Sequence, residues 1–122
     1  MPKSIQLQEK TMSEANWSRY SKSWSQPQAE RDAALAALTS DNVTYTDPNV
    51  ELTGRKAFSQ YMGEFQTQFP GTAFEIVDVR EHHEQSLANW KLVDGNRATI
   101  MLGTSHARLT PEGKFASFTG FF

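Results

Sequence analysis

Two kinds of hydrophobic pattern divide this chain into a helix-forming first part and a strand-forming second part. In the first part, apolar side chains recur at the three- and four-residue spacing of a helix face. The clearest such stripe follows Thr53-Gly54, ends at Pro70-Gly71 and consists of Phe58, Tyr61, Met62, Phe65 and Phe69. The spacing therefore predicts one amphipathic helix between these two breaks.

Two further helices are predicted before it. A capping box at Thr11 and Glu14 predicts a helix start, and that helix carries an aromatic stripe of Trp17, Tyr20 and Trp24. An alanine-rich helix over 29–38 follows, and a turn over 39–42 separates it from a short strand at Val43 to Asp47.

The second part of the chain predicts an antiparallel sheet. Residues 74–79 are rich in strand formers, and residues 87–93 pair with 97–109 across the turn signal Asp94-Gly95-Asn96. A second turn at 111–113 leads into a last strand over 114–122. Helices grouped before an antiparallel sheet predict an α+β fold, in which about three helices pack on a strongly curved sheet. Such a sheet encloses a cone-shaped barrel with an open mouth.

Length and composition limit the function. The chain has 122 residues, so we expect one domain over 13–122 after a flexible N-terminal arm at 1–12. The formal net charge of -2 favours neither nucleic acid nor an anionic membrane as partner. No segment approaches the roughly 18 apolar residues of a membrane span. The absence of cysteine and of an apolar leader fits a cytoplasmic protein.

Asp47 is the most informative polar residue. Because strand side chains alternate, it shares a face with Val43 and Tyr45. Desolvating a carboxylate is costly, so this group is either paired, solvated at the strand end, or poised to take a proton. The alternative interpretation is that Asp47 only begins the turn that follows it. The sequence leaves both open.

Short segments in a fixed order carry a resemblance to a known family. They are residues 20–24, the alanine-rich helix, 41–48, 52–54, 69–74, His82-His83, Trp90, Gly103, 112–114 and 120–122. In this order the chain resembles the nuclear transport factor 2-like superfamily over about residues 13–122. It is most similar to the SnoaL-like polyketide cyclases, with ketosteroid isomerases as cousins.

The resemblance implies two catalytic positions and one departure. Asp47 matches the carboxylate that moves a proton beside a ketone, and Tyr20 matches the hydroxyl that stabilises the enolate oxygen. The acid that assists this tyrosine falls at Ser105, and serine is the weaker donor. One missing oxyanion donor costs about 10²–10³ in rate. For Tyr20 the alternative is simple core packing in its aromatic stripe.

The remaining aromatic and small residues are candidates for the wall of a ligand pocket. The predicted pocket residues are Trp17, Trp24, Tyr45, Tyr61, Phe65, Phe74, Trp90, Met101, Gly103 and Phe118. No metal is predicted, because adjacent His82 and His83 point to opposite faces of a strand. A site of His82, Glu84 and His106 is the alternative that remains open. No phosphate loop or dinucleotide fingerprint is present, so no cofactor is expected.

These observations favour a cofactor-free isomerase, cyclase or lyase that transfers a proton next to a carbonyl in an apolar pocket. The alternative is a non-catalytic module of the same fold that binds a small apolar molecule. An epoxide hydrolase is a third hypothesis, but the sequence offers no Asp-Arg-Asp arrangement for it. We also expect a homodimer formed through the outer sheet face at Ile100, Leu102 and residues 120–122.

Overall fold

Three helices pack against a six-stranded sheet, which confirms the α+β prediction. The computed structural model describes the backbone of residues 2–122 and the side chains of residues 13–122. The elements in chain order are α1 (Pro2–Ser23), α2 (Gln28–Leu38), β1 (Thr39–Asp47), β2 (Val50–Thr53), α3 (Arg55–Gln68), β3 (Ala73–His82), β4 (Gln85–Val93), β5 (Thr99–Leu109) and β6 (Phe115–Phe121).

The sheet is open and mixed. Its strand order is β2-β1-β6-β5-β4-β3, so β2 and β3 form its two edges. All neighbouring strands run antiparallel except β1 and β6, which are parallel. The expectation of a purely antiparallel sheet is wrong at this one pair. The register shifts within four of the five strand pairs, and such bulges bend a sheet.

Three local predictions differ from the structure. Helix α1 already includes Thr11, so the capping box does not begin a helix. The flexible arm at 1–12 stays a prediction, because the side chains of these residues lie outside the described ones. Residues 39–42 are not a turn but the first part of β1. Strand β2 has no counterpart in the sequence prediction, which places a turn after Asp47 and the next helix after Gly54. Pro48 and Asn49 join β1 and β2 in a hairpin that pairs Asp47 with Val50.

The core is an aromatic cluster between α1, α3 and the sheet. Trp17, Phe58 and Phe118 are each 1% exposed. Tyr20 stacks on Phe118 with ring centroids 4.1 Å apart, and the Trp17 indole donates a hydrogen bond to the Ser86 hydroxyl at 2.8 Å. Each buried ring contributes several kcal/mol, at about 25 cal/mol per Å² of apolar area. The aromatic stripe of α1 therefore fixes that helix on the sheet.

A buried arginine fixes α3, which carries Tyr61. The Arg31 guanidinium on α2 donates from Nε to the Ser59 hydroxyl of α3 at 2.9 Å, and from Nη1 to the Gln26 carbonyl at 3.1 Å. Arg31 and Ser59 are both buried. Because a buried charge without partners is costly, the bond to Ser59 favours one position of α3 against α2, and the bond to Gln26 ties α2 to the turn before it.

The sheet face away from the helices exposes apolar side chains. Val77, Ile100, Leu102 and Phe121 are each more than half exposed. Within residues 2–122, no helix is long and apolar enough to cross a membrane. The cytoplasmic location and the homodimer stay predictions.

Adding a single methyl group at Gly103 tests the packing of the sheet. It lies opposite Trp90 across β4 and β5, and a Cβ at Gly103 would stand 2.2 Å from the Trp90 ring. We predict that Gly103→Ala lowers the free energy of unfolding by about 1–3 kcal/mol, because the indole must move. Urea unfolding measures this. Gly95→Ala is the control, since its nearest neighbour would be 3.9 Å away, and an equal loss in both variants would contradict the prediction.

Candidate functional site

A cavity of about 270 Å³ lies between α1, α3 and the sheet. More than half of its lining residues are aromatic, namely Trp17, Tyr20, Trp24, Tyr45, Tyr61, Phe65, Phe69, Phe74, Trp90 and Phe122. The other lining residues are Ser21, Asp47, Asn49, Glu64, Gln68, Ile76, Met101, Ser105 and Gly120. An apolar cavity with a few placed polar groups is the usual form of a small-molecule site.

Asp47 is both a turn residue and a cavity residue. Its Oδ1 accepts hydrogen bonds from the backbone N–H groups of Asn49 and Val50 at 2.8 and 3.2 Å, which form the turn between β1 and β2. Its Oδ2 faces the cavity and accepts hydrogen bonds from the hydroxyls of Tyr45 and Tyr61 at 2.7 and 2.9 Å. The two interpretations of the sequence are therefore compatible, because each oxygen has its own partners.

All three tyrosines of the chain lie at the cavity and hold their protons. Burial raises the pKa of Tyr45 far above its usual value of 10.0, and the neighbouring Tyr20 and Asp47 add to the rise. Burial, with the bond to Asp47, raises the pKa of Tyr61 to about 12. Burial also raises the pKa of Tyr20, which the Trp24 indole lowers to a smaller extent. At neutral pH each phenol is therefore a hydrogen-bond donor.

Ser105 lies beside Asp47 and Tyr45, and Trp90 holds its side chain. The Trp90 indole N–H donates to the Ser105 hydroxyl oxygen at 3.0 Å. A Cβ placed on Gly120 would lie 3.6 Å from the Asp47 Cβ and 3.7 Å from both the Ser105 and the Tyr45 hydroxyl oxygens. Gly120 therefore leaves open the space in which the carboxylate and these two hydroxyls meet.

Tyr20 is placed differently from Asp47 and Ser105. Its ring stacks within the core on Phe118, and its side chain also lines the cavity. The side chain therefore contacts both the core and the cavity. The packing role and the donor role weighed from the sequence are therefore compatible in one side chain.

Most of the residues predicted for the site meet around this one cavity, and two do not line it. Phe118 lies in the core under Tyr20, and Gly103 is covered by the Trp90 ring. Eight lining residues are absent from the predicted set, namely Ser21, Asn49, Glu64, Gln68, Phe69, Ile76, Gly120 and Phe122. Glu64 and Gln68 follow Tyr61 at helical spacing, so the same periodicity that found Tyr61 indicated them as well.

The histidines lie away from the cavity. His82 and His83 are at the exposed turn between β3 and β4, where their Nδ1 atoms are 3.1 Å apart. His106 lies on the other face of β5 from Ser105, with its Nε2 3.2 Å from the Gln85 side-chain oxygen. Across the described side chains, no group of three or more His, Asp or Glu residues is placed to hold a metal ion.

The order of the elements, together with an apolar cavity lined by a carboxylate at a strand end, defines a class of small α+β domains. The model of the SnoaL-like domain matches residues 19–118, so this chain belongs to the SnoaL-like family. No curated protein matches the sequence significantly.

Solved structures with the same fold share little sequence with this chain. A proposed isomerase of the SnoaL-like family from Agrobacterium tumefaciens has a TM-score of 0.82 at 20% identity, over 88% of this chain and 93% of its own. An NTF2-like protein of unknown function from Exiguobacterium has a TM-score of 0.68 at 18% identity, over 86% and 95%. A proposed ketosteroid isomerase from Kribbella flavida has a TM-score of 0.67 at 17% identity, over 93% and 78%. At these identities the likeness shows the fold alone.

The raised tyrosine pKa values predict how the protein responds to alkali. Unfolded tyrosines lose their protons near pH 10, whereas the folded chain retains them, so the free energy of unfolding falls as the pH rises above about 10. Absorbance at 295 nm reports ionised tyrosine. We expect no signal from the native protein at pH 10.5 and a signal from all three tyrosines in urea at the same pH. Native absorbance from even one of them would contradict the assignment.

Proposed function

We propose that the cavity binds a small apolar molecule that carries a carbonyl group, and that Asp47 moves a proton on the neighbouring carbon. This is isomerase, cyclase or lyase chemistry without a cofactor. The observation that carries the proposal is the cavity-facing oxygen of Asp47, which lies among aromatic rings and protonated hydroxyls. A positioned base of this kind contributes about 10²–10⁴ to a rate.

The hydrogen bonds of Asp47 define what must happen before it takes a proton. An ionised carboxylate has about four lone-pair positions, and here four donors occupy them. One donor must therefore leave Oδ2. Tyr61 is the candidate, because it lies on α3 and is half-buried, whereas Tyr45 is only 6% exposed. A bound substrate would take the place of the Tyr61 hydroxyl at Oδ2.

The negative charge that develops on the substrate oxygen needs a donor. Tyr20 keeps its proton at neutral pH because burial raises its pKa, so it is the first candidate. Ser105 is the second, because its oxygen accepts the Trp90 N–H and its own proton remains available for a ligand. Preorganised donors of this type act strongly in a water-poor site.

The same four hydrogen bonds also favour a second candidate function, a non-catalytic binding module. A carboxylate whose lone pairs are all used has no free position at which to take a proton. In that case Asp47 holds Tyr45 and Tyr61 in place, and the cavity binds its ligand without turnover.

Two substitutions distinguish these functions. Base catalysis can be measured without the natural substrate, on a panel of small cyclic ketones. NMR detects the exchange of their α-protons for deuterium. We predict that Asp47→Asn lowers the exchange rate about 10²–10⁴-fold, because the amide cannot take the proton. Tyr61→Phe should retain or raise the rate, because it frees one lone pair on Oδ2.

Separate control measurements test the folding and the ligand binding of both variants. Urea unfolding checks that each variant keeps its structure, and quenching of tryptophan fluorescence checks ligand binding. If no ketone exchanges in wild type and Asp47→Asn binds ligands as wild type does, the enzyme proposal is wrong and the binding module remains.

We also propose that the exposed apolar side chains of the outer sheet face form a homodimer interface. Leu102 and Phe121 lie on the neighbouring strands β5 and β6, and both are more than half exposed. We predict that the double variant Leu102→Glu and Phe121→Glu is monomeric, since it places charges in the interface. Light scattering measures the mass. Gln60→Glu on α3 is the control, and a wild-type mass of 13.8 kDa would contradict the proposal.

A further inference from the structure

The charged side chains at the cavity are all of one sign. Asp47 and Glu64 line it, and no lysine, arginine or histidine does so among the side chains of 13–122. An anionic ligand would therefore meet only like charges, with no cation to compensate them. Neutral and positively charged ligands meet no such penalty.

Neither carboxylate has a cationic partner in the described structure. The ion pairs there are Arg55–Asp41, Lys91–Glu75 and Arg97–Glu75, and all three lie away from the cavity. The donors on Asp47 are phenols and backbone N–H groups, which stabilise its charge as dipoles but do not neutralise it. A carboxylate in apolar surroundings is usually compensated by a positive charge.

The cavity wall is aromatic, which is the second feature that a site for an organic cation needs. The rings of Phe65 and Phe74 are stacked with centroids 5.2 Å apart, and the Trp90 ring meets Phe74 edge-on at 5.0 Å. Trp24 meets Phe65 and Tyr61 edge-on at 5.4 and 5.9 Å. A cation over the face of such rings is attracted by their quadrupoles, as in aromatic cages for quaternary ammonium groups.

We propose that the natural ligand carries a positive charge, as a protonated or quaternary amine attached to an apolar body. The apolar body would lie among the rings, and the charged group would lie near the cavity-facing oxygen of Asp47. The inference rests on the proposed function only in its claim that the cavity binds a small molecule. It holds whether or not the ligand is turned over.

Three probes of similar shape and different charge test the inference. They are phenyltrimethylammonium, its neutral isostere tert-butylbenzene, and the anion benzenesulfonate. All three tryptophans of the chain line the cavity, so quenching of tryptophan fluorescence reports binding directly. We expect the cation to bind at least about tenfold more tightly than the neutral isostere, and the anion to bind most weakly.

Variants show which carboxylate produces the preference for the cation. Asp47→Asn should remove most of the preference for the cation, and the exposed Glu64→Gln should reduce it less, because water screens a rim charge. Glu112→Gln changes the net charge equally at an exposed turn outside the cavity, and it should leave all three affinities unchanged. Should Asp47→Asn unfold, the Glu64→Gln and Glu112→Gln pair still compares a cavity carboxylate with a remote one.

The outcomes separate the two proposals. If tert-butylbenzene binds as tightly as phenyltrimethylammonium, the charge inference is wrong and the ligand cavity stands. If Glu112→Gln weakens binding of the cation as much as Glu64→Gln does, the preference comes from the net charge of the protein, and the inference is again wrong. If none of the three probes binds within its solubility, both the inference and the proposed ligand cavity fail.

Discussion

The hydrogen bonds of Asp47 are the interaction on which the candidate site depends. One carboxylate oxygen closes the turn between β1 and β2, and the other accepts from Tyr45 on β1 and Tyr61 on α3. The same side chain therefore fixes the end of a strand and joins that strand to a helix across the cavity. Because its four partners are all donors, the carboxylate is held as an acceptor, and any chemistry at Oδ2 begins with the loss of one bond.

A second set of contacts holds the part of the wall that β4, β5 and β6 form. The Trp90 ring can take its position only because Gly103 has no side chain. In that position the indole N–H donates a hydrogen bond to Ser105. Gly120 then keeps open the space between Ser105 and Asp47. The two glycines thus act in different ways, one by admitting an aromatic ring and the other by leaving space beside the carboxylate.

Part of this arrangement could be predicted from local pattern. The alternation of Val43, Tyr45 and Asp47 predicted a carboxylate on an aromatic face, and the helical spacing of Phe58, Tyr61 and Met62 predicted α3. The hairpin between β4 and β5 followed from Asp94-Gly95. Other features left no local signal. Strand β2 has only four residues, and the parallel pairing of β1 with β6 joins segments that are far apart in the chain.

The sequence by itself determined the class of fold, the face of β1 to which Asp47 belongs and the aromatic material of the cavity wall. These follow from periodicity and turn chemistry, which act over a few residues. Only the tertiary structure decided that two tyrosines from different elements donate to the same carboxylate oxygen, that Phe118 and Gly103 lie outside the cavity lining, and that no cation lines it among the described side chains. Partners across a cavity are set by how helices and strands pack, and packing is a property of the whole chain.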